Sequence, residues 1–197
     1  MKRLLEYMNL QAHRDVAGDY SGQASVLVLL SAEESPSLVL TQRSLNLRQH
    51  AGEVAFPGGK WEPQDSGLVD TALRECSEEI GVMPSQVQVL GCLARQYTRQ
   101  GVSVTPVVAH LKESVDYSLC DTEIASIFHV PLDFFASDPR VRTDYIKRGR
   151  QECWVPAFEY EGYEIWGFTS SVIVNLLRNA YGVQFKREHE APVRVLR

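Results

Sequence analysis

The stretch Asp65-Ser66-Gly67-Leu68-Val69-Asp70-Thr71-Ala72-Leu73-Arg74-Glu75-Cys76-Ser77-Glu78-Glu79-Ile80-Gly81-Val82 decides how the rest of the chain is read. It carries the punctuation of a helix. Asp65 or Ser66 can cap the start, and Gly81 suits the left-handed residue past the end. The spacing predicts a helix over 68–80. At about 100° per residue, Val69, Ala72, Leu73, Cys76 and Ile80 form one apolar stripe that must pack on a sheet. Glu75 and Glu79, four residues apart, fall about 40° from each other on the flank of that stripe, and Glu78 lies about 60° to the other side of Glu75. Arg74 is placed to pair with Glu78 one turn on. A face selected for solubility mixes signs and lies opposite the apolar stripe. This cluster sets three Glu against one Arg and lies beside the stripe. Carboxylates held this close repel and raise one another's pKa unless a cation neutralises them. A hard divalent cation, Mg²⁺ or Mn²⁺, suits an oxygen-only ligand set and commonly joins carboxylates to substrate phosphates.

The charge balance points to the same segment. The 197 residues include 25 acids and 20 bases, a net of −5. Between Glu62 and Glu79 stand six acids and one base, which is itself −5, so everything outside sums to zero. The acidity is local and does not oppose a polyanionic substrate, because bound cations would invert the sign the substrate meets. A net-acid chain argues against non-specific nucleic-acid binding. The longest apolar run, Ala24 to Leu30, is far short of the roughly 20 residues that span a bilayer. Glu6 interrupts any secretory apolar region, and the final Arg194-Val195-Leu196-Arg197 is not a peroxisomal tail, so the expected compartment is cytoplasmic. Cys76, Cys92, Cys120 and Cys153 are scattered without a CxxC pair, which signals neither a zinc site nor a disulfide framework.

Working outward, Ser25–Leu30 and Ser37–Thr41 read as a hairpin, and Val87–Leu93 and Val102–Leu111 as strands. Residues 123–128 read as a short helix or turn. Trp154–Tyr160 and Tyr163–Trp166 pair across Glu161-Gly162. Residues 169–180 read as a closing helix with Thr169 or Ser170 as N-cap and Gly182 past its end. Strands before and after helices favour a layered α/β domain. The expected organisation is an N-terminal arm or helix over 1–23 and a single domain over 24–197. The stretch 140–150 carries five bases and one acid, which suits either a solvated hairpin or contact with a phosphate.

Upstream of the helix stands Phe56-Pro57-Gly58-Gly59-Lys60, where paired glycines let backbone approach a ligand closely. With the helix, this resembles the Nudix box: Arg74-Glu75-Cys76-Ser77-Glu78-Glu79-Ile80-Gly81-Val82 matches its second half, with Cys76 where an aliphatic residue is usual. In the first half, five residues separate Gly59 from Asp65, which stands where the box has Glu, and eight residues rather than seven separate Asp65 from Arg74. A second resemblance is more specific. The run from Val39-Leu40-Thr41-Gln42-Arg43-Ser44 through Arg48 and Gly52 to Phe56-Pro57-Gly58-Gly59 is similar to the signature of the coenzyme A pyrophosphatase branch of that superfamily, which shares the longer loop.

The resemblance implies an α/β/α sandwich around a mixed β-sheet. It implies hydrolysis of the diphosphate of coenzyme A or acyl-CoA to 3′,5′-ADP and 4′-phosphopantetheine or its acyl form, with another nucleoside diphosphate derivative as the alternative; less favoured is a silent binding module, against which the three retained glutamates argue. It implies Glu75 and Glu79, then Glu78, as Mg²⁺ or Mn²⁺ ligands, with a carbonyl from Gly59. One of the three, or Glu123 from outside the helix, would serve as base; the plain reading of Glu123 is a helix-start acid. Arg43 and Arg48 are candidate phosphate contacts, since arginine presents a rigid fork to phosphate oxygens; Gly58 joins them as a substrate contact. His50 stands between loop packing and phosphate contact. The expected partner is a small CoA-like nucleotide, with no nucleic acid or membrane, and a homodimer stays open.

Overall fold

The run Ala24–Leu30 is buried almost throughout, because neighbours cover both faces of the strand it forms in the computed structural model. The structure describes residues 2–10, 18–148 and 151–196. In chain order these form α1 (Lys2–Leu10), β1 (Ala24–Leu30), β2 (Ser37–Arg43), β3 (Val54–Ala55), β4 (Gly58–Lys60), α2 (Leu68–Ile80), β5 (Val87–Cys92), β6 (Gln96–Tyr97), β7 (Ser103–Leu111), β8 (Ile124–Pro131), α3 (Leu132–Ala136), β9 (Arg140–Arg148), β10 (Gln151–Tyr160), β11 (Tyr163–Ile165), α4 (Gly167–Leu176) and β12 (Val193–Leu196).

The main sheet has eight strands and is mixed: β1 and β7 run parallel over their whole length, while the other pairs are antiparallel. Alternation along β1 sorts the core. Leu27 and Leu29 meet Ala72, Cys76 and Ile80 of α2, whereas Val28 and Leu30 join Leu4 and Met8 of α1 and Ile173 and Leu176 of α4. Helices therefore cover both faces, which is the expected α/β/α layering. Each fully buried Leu contributes about 1.5–3 kcal/mol, so the two-sided burial of β1 makes it the centre of the molecule. A second sheet, in the order β11-β10-β9-β12, completes the α4 side; its residues Phe158 and Ile165 share that core. No described helix is long and apolar enough to cross a membrane.

The β1–β2 hairpin closes at Leu30↔Leu38 and then opens. Into the gap comes the segment 54–60. Its β3 pairs with β2 and its β4 with β1, and the Pro57 carbonyl between them accepts from Leu27 N–H at 2.8 Å. Gly58 makes this wedge fit. A side chain there would meet the Ser25 carbonyl oxygen at 2.4 Å, and its φ of 158° is open to glycine alone.

Three sequence expectations change. Residues 124–131 are strand β8, paired with all of β2, where a short helix or turn was expected over 123–128; burial of Ile124, Phe128 and Val130 beside exposed Ala125 and His129 is the pattern of a half-covered strand. Thr169 and Ser170 lie inside α4 rather than capping it: Trp166 is the N-cap, and the two hydroxyls donate to the carbonyls of Val54 and Pro156 on neighbouring strands. Neither Asp65 nor Ser66 caps α2, since Gly67 holds that position and both side chains bond elsewhere. In the basic stretch, Arg140 is buried against Asp138, and Arg142 pairs with Asp144 and Glu164, so β9 spends these charges internally. Gly149 and Arg150 of that stretch lie outside the described residues.

Candidate active site

Helix α2 ends where the sequence places its end, at Gly81 with φ of 75°. Ala72, Cys76 and Ile80 of its apolar stripe are buried and Val69 and Leu73 partly so, and burial extends past the stripe's edge to Glu79, only 3% exposed. Cys76 is fully buried and its thiol is pushed up to about 12 by burial, so it serves as a small apolar residue where an aliphatic one is usual.

The three carboxylates differ in setting. Glu79 accepts from Gly58 N–H at 3.1 Å and faces Arg43 Nη1 at 3.4 Å. Burial nevertheless wins: it pushes the Glu79 carboxyl from its ordinary 4.5 up to about 7, opposed by Gly58 and Arg43 and reinforced by Glu75 and Glu123. Glu75 is half-buried and also raised, first by burial, with Arg74 pulling it back and Glu78 and Glu123 pushing it further. Glu78 is exposed and bonds Arg74 at 2.9 Å, the pairing expected one turn apart.

Arg74 organises two of these acids and is itself held. Its Nη1 reaches Glu75 at 3.1 Å and Glu78 at 2.9 Å. Its Nε and Nη2 form a fork onto Asp65 at 2.9 and 3.1 Å, and Nη2 also donates to the Lys60 carbonyl. Asp65 is buried and accepts further from Thr71 Oγ1 and Glu62 N–H. Arg74 therefore holds the Asp65 carboxyl below its ordinary value. Asp65 thus anchors the arginine, where the sequence offered it as a cap or in the place of the box's Glu. The signal was available as Asp65 and Arg74 bracketing the start of a helix, but a loop one residue longer than the pattern hid it.

Gly59 packs directly on this group. A Cβ there would stand 2.2 Å from Glu75 Oε1, so the backbone of the wedge and the Glu75 carboxylate occupy adjoining space.

The fourth acid arrives from the far side. Residues 112–123, between β7 and β8, fold over the C-terminus of α2. Ser118 N–H and Cys120 N–H donate to the Ile80 and Glu79 carbonyls at 3.0 Å each, which satisfies two of the helix's last acceptors. Glu123 follows, and its carbonyl accepts from Ser44 N–H at 2.7 Å. Its charge acts on both Glu75 and Glu79. Glu123 precedes a strand, not a helix, so the helix-start reading falls away.

Arg43 ends β2 at the site. Arg48 and His50 lie in the exposed loop 44–52, whose neck is closed by Arg43 N–H to the Glu53 carbonyl at 3.0 Å and Gly52 N–H to the Arg43 carbonyl at 3.1 Å. His50 Nδ1 is 2.8 Å from Glu53 Oε2, so its ring is engaged within the loop. Gly58 N–H is committed to Glu79.

Among the described residues, no three His, Cys, Asp or Glu side chains converge closely enough to hold an ion as their rotamers lie. Arg74 draws Glu75 and Glu78 aside, and Gly58 and Arg43 hold Glu79. The donor chemistry nonetheless fits a hard divalent cation: the donors are oxygens, Glu79 is buried against its preference for water, and Glu75, Glu78, Glu79 and Glu123 repel within the group.

The structure is an α/β/α layer with a mixed sheet and an acid cluster on and beside helix α2. The NUDIX domain model matches residues 22–156, and the chain belongs to the Nudix hydrolase family. It is 41% identical over 156 residues to a protein of Yersinia enterocolitica described as an uncharacterized Nudix hydrolase, NudL, covering 79% of this chain and 80% of that one. A Yersinia pestis protein with the same description is 38% identical over 168 residues, covering 85% and 84%. Among solved structures, the Nudix hydrolase RenU of M. smegmatis aligns with a TM-score of 0.50 at 20% identity, covering 64% of this chain and 84% of that one, a likeness of fold. The chain is accordingly a hydrolase of nucleoside diphosphate derivatives, and enzymes of this family generally need divalent metal ions.

Proposed function

We propose that the protein hydrolyses the diphosphate of coenzyme A or acyl-CoA, releasing 3′,5′-ADP and 4′-phosphopantetheine or its acyl form. The observation that carries this reading is the joining of two sequence motifs at one place. Arg43, from the run similar to the coenzyme A pyrophosphatase signature, meets Glu79 of the acid helix, and Gly58 of that same run donates to the same carboxylate.

In this reading Glu75 and Glu79, with Glu78 next and the Gly59 carbonyl, would hold Mg²⁺ or Mn²⁺. When bound, the ion neutralises diphosphate charge and lowers the pKa of water. The chain's own residues do the rest. Arg74, fixed by Asp65, sets the rotamers of Glu75 and Glu78. Arg43 and Arg48 offer guanidinium forks to phosphate oxygens, with His50 beside them in the loop. Glu123, or one of the three helix glutamates, accepts the proton of the attacking water. The products demand attack at phosphorus with cleavage of one P–O bond of the anhydride, so positioning and charge carry most of the catalysis.

The test is incubation of the pure protein with CoA and Mg²⁺ or Mn²⁺, with product identification and an EDTA control. Appearance of 3′,5′-ADP that EDTA abolishes supports the reading. Turnover of ADP-ribose, a dinucleotide or a nucleotide sugar without release of 3′,5′-ADP from CoA would assign the same chemistry to another substrate.

A further inference from the structure

We propose that Leu45 is a specificity-determining contact that favours nucleoside diphosphates whose second moiety carries an aliphatic group. The inference rests on the proposed function for its choice of CoA substrates, and on the loop's own geometry for the rest. Leu45 is 78% exposed, the highest value among the exposed large hydrophobic side chains described. An exposed leucine alone needs no explanation. This one has a fixed address. Ser44, the residue before it, is bonded through its N–H to the Glu123 carbonyl at 2.7 Å, and Arg43 before that faces Glu79. With Ser44 buried, Leu45 is therefore the first exposed side chain after Arg43 along this path.

The loop also holds it in place. The Leu45 methyl Cδ2 lies 2.9 Å from where a Cβ of Gly52 would stand, so the side chain rests across the loop's neck on a residue with no side chain. Gly52 has φ of 71°, which glycine adopts without strain. The neck beneath is closed by the two bonds between Arg43 and residues 52 and 53, and by Gln42 Nε2 to the Gly52 carbonyl at 3.4 Å. A pre-positioned apolar side chain two residues from Arg43 cannot favour the diphosphate itself. What it can cover is an aliphatic part of whatever the diphosphate is joined to. Burial of such a group against Leu45 adds to kcat/KM only for substrates that carry it.

The experiment uses two substrate series and three proteins. One series is CoA and acyl-CoA thioesters of increasing chain length. The other is ADP esterified at its β-phosphate with methyl, butyl or octyl groups, which contains no CoA. The proteins are wild type, Leu45→Ser and Leu45→Met, with thermal melts to show that the exposed substitutions leave the fold intact. The expected result is that kcat/KM rises with chain length in wild type, that Leu45→Ser lowers the ratio of longest to shortest substrate roughly tenfold, and that Leu45→Met restores most of it. An unchanged ratio in Leu45→Ser, or an equal loss on every substrate, overturns the role. A wild-type protein inert towards CoA but selective among the ADP esters overturns the CoA assignment and leaves Leu45's role standing.

Discussion

Replacing Glu79 with Gln should make the metal-free protein more stable and the enzyme nearly inactive. Glu79 is buried, and its carboxyl is pushed from 4.5 up to about 7, chiefly by that burial. The folded state thus keeps this proton to a higher pH than the unfolded chain does. Stability is unaffected by the group below about pH 4.5, is lost as pH rises from there to about 7, and stays lost above. At about 1.4 kcal/mol per pH unit, the burden on the metal-free fold at pH 8 reaches at most about 3.5 kcal/mol. Gln removes the charge and keeps a carbonyl oxygen to accept from Gly58 N–H. The lost attraction to Arg43, at 3.4 Å and partly in solvent, returns under about 1 kcal/mol of that gain. With about 2–4 °C of melting temperature per kcal/mol for a chain this size, the variant should melt several degrees higher than wild type at pH 8 in EDTA. The difference should shrink to under about 1 kcal/mol at pH 5 and vanish by about pH 4. Adding MgCl₂ should raise the wild-type melting temperature and leave the variant's nearly unmoved, while turnover falls by at least about a hundredfold. A variant that melts lower than wild type at pH 8 in EDTA, or that keeps the wild-type rate, would refute the account of Glu79 as a carboxylate held against its own solvation for a cation.

Three further substitutions probe its neighbours. Asp65→Ala removes a buried partner from Arg74 and should cost about 3 kcal/mol of stability in denaturant melts, with activity falling as Glu75 and Glu78 lose their fixed rotamers. Gly59→Ala puts a methyl where the Glu75 carboxylate stands; the concentration of Mg²⁺ giving half-maximal rate should rise at least roughly tenfold, with the circular dichroism spectrum unchanged. Thr169→Val strips the Val54 carbonyl of a buried donor and should cost about 1–2 kcal/mol by denaturant titration, whereas Thr169→Ser should cost less than half of that.

Helix α2 was legible because its signals are local: a period, a terminal glycine and a pairing one turn apart all lie within 15 residues. Its end at Gly81 and the Arg74–Glu78 pair follow from local signals; the sequence set all three glutamates beside the stripe, whereas Glu78 is exposed and only Glu79 is buried. The role of Asp65 was not legible, because the bond it makes depends on how a loop one residue longer than the pattern folds back. Residues 124–131 were misread for a related reason. Ile124, Phe128 and Val130 do not alternate strictly with polar residues, and the strand is specified by its pairing with β2, about 85 residues earlier, more than by its own pattern. Thr169 and Ser170 look like caps by composition; their hydroxyls answer carbonyls on strands that the sequence does not show to be near. Of the second sheet the sequence showed the hairpin across Glu161-Gly162 and, as one of two readings, a hairpin over 140–150; the pairing of 193–196 with 140–148 had no local signal.

The wedge of residues 54–60 between β1 and β2 has a kinetic consequence. The hairpin tip at Leu30 and Leu38 closes a short loop and can form early, but β4 reaches β1 only after a detour of more than 30 residues, and Glu123 arrives still later along the chain. Contacts between residues far apart in sequence are slow to form because loop-closure entropy must be met first. The contact of Gly58 with Glu79, on which the proposed site depends, does not exist until the wedge is seated. In a refolding experiment, far-UV circular dichroism should therefore recover ahead of turnover, and a chain with most of its secondary structure in place would still be harmless to its substrate. Simultaneous recovery of the two signals would show that the wedge seats with the hairpin.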